Sequence, residues 1–123
     1  METLCDAVSR RTFEFTVAFD SSKTSYDPFE KKHKLFLICG KGSDEITALH
    51  NQLYDGPHRS ELNPEYPFQP HMTVATSADR AELEHLDVAD IGEFPITGKV
   101  RALELVRLVD GTLDLLSTKP LQV

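Results

Sequence analysis

The stretch Tyr66-Pro67-Phe68-Gln69-Pro70-His71-Met72-Thr73-Val74-Ala75 constrains this chain more than any other of its length. Two prolines bring the chain through a turn. Pro70 suits the first position of a strand, where a missing N–H matters least. The strand that follows carries His-x-Thr. Alternate side chains of a strand share a face, so His71 and Thr73 point one way and Met72 and Val74 the other. An imidazole beside a hydroxyl on a rigid sheet is half of a phosphate-handling site. The other half would be a second His-x-Thr or His-x-Ser on a second strand, and the chain offers only weak substitutes. Glu14-Phe15-Thr16-Val17 repeats the spacing with Glu in place of His, and reads first as an alternating amphipathic strand. His58-Arg59-Ser60 spells His-x-Ser, but in a proline-rich loop that lacks the rigidity a site needs. Arg59 in that loop has the reach to contact a phosphate.

A chain of 123 residues, 40% hydrophobic and 27% charged, makes one ordinary globular domain spanning residues 1–123. Its net charge of −7 argues against broad, charge-driven binding to DNA or RNA, which needs a basic face, while leaving room for a small phosphate held by local donors. No apolar run approaches the roughly 18 residues of a membrane span. The N-terminus lacks the basic start and apolar stretch of a secretory signal. Cys5 and Cys39 are too few for a disulfide framework, which points to reduced thiols and a cytoplasmic setting.

Along the chain, Leu4, Ala7 and Val8 recur at helical spacing, and Arg10-Arg11 suits a helix C-terminus. Phe13, Phe15, Val17 and Phe19 alternate as in a strand. The polar segment from Asp20 to Lys32 reads as a loop, and Lys34 to Cys39 as a buried strand. Gly40-Lys41-Gly42 breaks it. Ser43 then caps a helix running on Ile46, Leu49, His50 and Leu53 to Asp55-Gly56-Pro57. Residues 57–70 read as a long loop and His71 to Ala75 as a strand. A helix starting at Ser77 or Ala78 carries Leu83 and Leu86. Phe94 to Val109 is mostly extended, with Ile96, Val100, Leu103, Leu105 and Val106 as core. Asp110-Gly111 signals a hairpin into Thr112 to Ser117. The expected fold is α+β: a mainly antiparallel sheet with helices packed on one face.

At Phe68-Gln69-Pro70-His71-Met72-Thr73-Val74-Ala75 the chain resembles the 2H phosphoesterase superfamily, which includes 2′,5′ RNA ligase-like proteins and RNA 2′,3′-cyclic phosphodiesterases. The family carries two His-x-Thr/Ser motifs, one on each of two similar lobes, and the second is typically preceded by proline. His33 to Ile38 followed by Ile46, Leu49, His50 and Leu53 looks like the strand and helix before that second motif. Val100 to Arg107 and the Gly111 hairpin look like the final strands. The similarity spans about residues 12–121. The family's first motif precedes the segment that Phe13 to Phe19 resembles, and this chain begins just before that segment. The resemblance therefore implies a 2H-like domain with an incomplete first lobe.

It also implies roles. His71 would be one acid/base and Thr73 one phosphate donor, with Arg59 and Phe68 as substrate contacts and no metal or other cofactor. Histidine suits proton transfer because its ordinary pKa, about 6.5, lies near working pH. The substrate class would be RNA ends bearing a 2′,3′-cyclic phosphate, or small cyclic nucleotides. A chain with one motif is expected to be an impaired hydrolase. The alternatives are a non-catalytic nucleotide- or phosphate-binding module and a homodimer that completes the site or covers an unpaired edge. Gly40-Lys41-Gly42-Ser43 lacks P-loop spacing, no nucleophile elbow occurs, and neither cysteine has a basic neighbourhood. His33, His50 and His85 read as surface or packing residues.

Overall fold

The computed structural model describes residues 1–123. In chain order the elements are α1 (Glu2–Arg10), β1 (Phe15–Asp27), β2 (Lys32–Cys39), α2 (Ser43–Tyr54), β3 (His71–Ser77), α3 (Arg80–Glu84), β4 (Ile96–Val100), β5 (Ala102–Val109) and β6 (Thr112–Pro120), with short 3-10 turns at Arg59–Glu61 and Val88–Asp90. The class is α+β, as expected. The strands divide between two sheets: four in the order β3-β2-β1-β4, and the β5-β6 pair. β2 runs antiparallel to both β1 and β3, and β5 is antiparallel to β6. No helix is long and apolar enough to cross a membrane.

The chain groups into two compact units. One comprises residues 17–43 and 69–98 and contains most of the four-stranded sheet. Its buried apolar residues are Val17, Ala18, Leu35, Leu37, Cys39 and Leu83, with Leu37 wholly inaccessible. The segment Asp20 to Lys32 is not a loop throughout. β1 continues to Asp27 and pairs with β2 from Ser21↔Ile38 to Asp27↔Lys32. Ser21, Ser22, Lys23, Thr24 and Ser25 carry no hydrophobic alternation, so only backbone pairing with the apolar β2 makes them a strand. Asp20 is the extra residue where the register shifts, between Phe19 and Ser21.

The β1–β2 turn is held by side chains. Asp27 Oδ1 accepts the Phe29 N–H at 2.8 Å and the Glu30 N–H at 3.3 Å. Lys34 Nζ lies 3.1 Å from Asp27 Oδ2 and 2.9 Å from Glu30 Oε2. Burial pushes the Asp27 carboxyl up, but the Phe29 N–H, the Lys34 ammonium and the Glu30 N–H together outweigh it and hold the group below its ordinary value. Lys34 is raised, first by its bond to Glu30. The third helix is shorter than its sequence signals suggest. Asp79 caps it by accepting the Ala81 N–H at 2.9 Å, and five residues leave room for one buried position, Leu83, while Leu86 is exposed.

The other unit comprises residues 1–16, 44–68 and 99–123. Its buried residues include Cys5, Val8, Leu49 and Leu121, and α1 packs on β5 and β6. α2 starts at Ser43 itself. Gln122 ties in the chain end: its N–H donates to the Thr12 carbonyl at 2.9 Å, and its carbonyl accepts the Glu14 N–H at 2.8 Å. The β5–β6 turn is Asp110-Gly111, with φ of 50° and 77°. Two consecutive left-handed residues match the right-handed twist of a tight hairpin, which is why Asp-Gly marks the spot. Leu103 and Leu105 are half-buried, whereas Val106, expected in the core, is exposed. A register shift between Leu105 and Val106 separates them. Beyond it the pairs Val106↔Leu115 and Leu108↔Leu113 share one face, and all four are exposed.

Candidate functional site

Strand pairing assembles the site in the unit holding the four-stranded sheet. β2 pairs with β1 on one side and β3 on the other, so directly opposed residues line up in rows across one face. One row is Ser21–Ile38–His71 and the next is Lys23–Phe36–Thr73. His71 and Thr73 are therefore on one face of β3, as their spacing predicts, and both are exposed. Pro70 is buried at the strand entrance, where its carbonyl accepts the Cys39 N–H at 3.2 Å and extends the pairing by one residue.

His71 is fixed on two sides. Its ring lies on Phe36, with centroids 4.0 Å apart and planes 34° from parallel. Its Nδ1 is 2.7 Å from the Gln69 backbone carbonyl. A carbonyl can only accept, so Nδ1 carries the proton and, in the neutral ring, Nε2 keeps its lone pair. That is the tautomer of a general base. The Thr73 hydroxyl, two residues along the same face, is an available donor.

Two polar residues that sequence reading passed over join this face. Ser21 lies in the His71 row and Lys23 in the Thr73 row. Lys23 Nζ donates to Gln69 Oε1 at 3.0 Å. The signal was present as Ser21-x-Lys23-x-Ser25, a period of two with polar residues on the facing side, but nothing apolar marked it as a strand.

Arg59 and Phe68 belong to the other unit. Arg59 begins a 3-10 turn and lines a cavity of about 340 Å³ with Asn51, Gln52, Tyr54, Asp55 and Leu62. That size is at the lower end for small-molecule sites. Phe68 stacks on His50 with centroids 3.9 Å apart and planes 8° from parallel, and His50 also meets Tyr54 at 4.8 Å. His50 is thus an aromatic packing residue. The two weak substitutes for a second motif are otherwise engaged. His58 pairs with the Glu61 carboxylate, and Glu14 faces Lys99 at 3.8 Å. His33 lies against Tyr26, with ring centroids 4.9 Å apart, and His85 ends α3.

The sheet face thus offers an oriented base, a hydroxyl donor and an ammonium, a combination suited to an oxyanion such as a phosphate. No curated protein matches the chain. The family model described as the 2′-5′ RNA ligase superfamily matches residues 2–112. With that match covering most of its length, the chain belongs to the 2′-5′ RNA ligase superfamily, that is, to the 2H phosphoesterases.

Proposed function

We propose that this protein, acting as a single domain, is a 2H-type phosphoesterase that opens 2′,3′-cyclic phosphates on RNA ends or small cyclic nucleotides, with His71 as a proton-transferring residue. The observation that carries this reading is the His71 imidazole, held by the Gln69 carbonyl through Nδ1 so that Nε2 is the basic atom, with Thr73 two residues along the same face. In hydrolysis, Nε2 takes a proton from water as the water oxygen bonds to phosphorus. One ring P–O bond then breaks, and its oxygen leaves as the ribose hydroxyl after taking a proton from solvent water, while His71 later returns its own proton to solvent. Thr73 donates to a phosphate oxygen whose charge grows in the transition state. Arg59 and Phe68 are proposed as substrate contacts within their own unit, Arg59 at the cavity that it lines. The buried thiols of Cys5 and Cys39 suit a reducing compartment such as the cytoplasm.

This chain carries one His-x-Thr, and a missing acid/base partner typically costs about 10²–10⁴ in rate. Turnover is therefore expected to be slow. The test is hydrolysis of a 2′,3′-cyclic nucleotide panel by the protein and by His71→Ala. Slow turnover that disappears in the variant supports the reading, and equal turnover by both proteins overturns it. The single motif also favours a second reading, a phosphate-binding module without turnover, for which calorimetric binding in the absence of hydrolysis is the sign. A homodimer fits the exposed Val106, Leu108, Leu113 and Leu115 face, because a two-stranded sheet is marginal alone and offers strand edges for association.

A further inference from the structure

The sheet that carries His71 holds Lys23, Lys32, Lys34 and Lys99, and the surroundings of Lys34 and Lys23 differ. Lys34 is neutralised twice, by Asp27 at 3.1 Å and Glu30 at 2.9 Å. Lys23 meets a neutral amide, Gln69 Oε1, at 3.0 Å. An ammonium has three donor hydrogens, and this contact uses one. The charge therefore stands uncompensated on the exposed face, in the same cross-strand row as Phe36 and Thr73. Gln69 links the parts. Its backbone carbonyl holds His71 Nδ1, and its side chain holds the Lys23 ammonium. One residue thus sets both the base and the cation.

We infer that Lys23, positioned by Gln69, is the phosphate-charge-binding residue of the His71–Thr73 face. The inference rests on the proposed phosphoesterase reading and adds to it the group that holds the anion. Lys23 keeps its bond to Gln69 and directs its two remaining donors to phosphate oxygens, with Thr73 supplying a third. The ligand is a nucleotide bearing phosphate on the ribose 2′ or 3′ oxygen.

The experiment titrates adenosine 3′-monophosphate into the wild-type protein, Lys23→Ala, Lys23→Arg and His71→Ala, following backbone amide shifts by NMR. Lys23 is exposed, so its substitution leaves the fold intact, and a thermal melt checks this. Loss of a charge-assisted contact should weaken binding about tenfold or more in Lys23→Ala, and Lys23→Arg should restore most of it. The shifts should centre on Ser21, Lys23, Gln69 and Thr73. Hydrolysis of the 2′,3′-cyclic nucleotide is measured on the same proteins. Wild-type turnover that depends on His71, together with unchanged affinity in Lys23→Ala, overturns the role of Lys23 and leaves the phosphoesterase reading standing. A wild-type protein that neither binds nor turns over overturns both.

Discussion

At the scale of single residues, the proposed chemistry rests on the few contacts that hold His71. Its ring is located by one carbonyl and one phenyl face. Thr73→Val keeps the shape and the strand propensity of the residue and removes only the hydroxyl. Loss of one oxyanion donor should lower kcat about 10²-fold, with the melting temperature nearly unchanged. Steady-state hydrolysis beside a thermal melt checks this, and a large drop in melting temperature would mean that Thr73 is structural. His71, Thr73 and their shared face were legible in the sequence because a period of two is all that is needed to place them. Lys23 was not legible. Its proposed role depends on β1 continuing past Phe19, and on Gln69, 46 positions away in sequence, meeting it across the sheet.

At the scale of elements, two turns carry testable weight. The Asp27 carboxylate accepts two backbone N–H groups and pairs with Lys34. Its pKa is lowered by folding. The stabilisation is therefore fully present above the ordinary aspartate range, near pH 4, and is lost as pH falls through the lower folded value. Asp27→Asn should destabilise the protein by about 1–2 kcal/mol at neutral pH. Urea midpoints measured from pH 7 down to pH 3 should show the gap between the two proteins closing at the acid end. The second turn is Asp110-Gly111. Gly111→Ala forces a Cβ into the left-handed region at φ 77° and should cost about 1 kcal/mol, read from the same urea midpoints. This hairpin could be read directly from Asp-Gly. The extent of α3 could not, because Asp79 outcompetes Ser77 as the cap by accepting the Ala81 N–H.

For the whole molecule, the face formed by Val106, Leu108, Leu113 and Leu115 is the feature most out of keeping with a net charge of −7. Leu113 is 65% exposed and Leu108 51% exposed. If the homodimer uses this face, sedimentation of the wild-type protein should give twice the chain mass, and the double change Leu108→Glu with Leu113→Glu should return it to the monomer. A wild-type mass of one chain removes the dimer. Thermal unfolding followed at the tyrosines and by backbone circular dichroism tests the single-domain proposal. Coincident transitions are expected, and two separated ones would make the two compact units independent folding domains.

Local rules in the sequence determined the α+β class, the Asp-Gly turn, the helices α1 and α2, and the strand that presents His71 and Thr73 together. Each follows from the spacing or the dihedral needs of a few neighbouring residues. Tertiary structure alone decided three things. Backbone pairing with apolar β2 turned the polar segment Ser21 to Asp27 into strand, since a ladder asks nothing of side-chain hydrophobicity. Pairing divided the strands into two sheets, which left Val106 outside the core although its sequence pattern placed it there. Cross-strand register brought Lys23 and Gln69 to the His71 face, because opposed residues meet through hydrogen-bond partners distant along the chain.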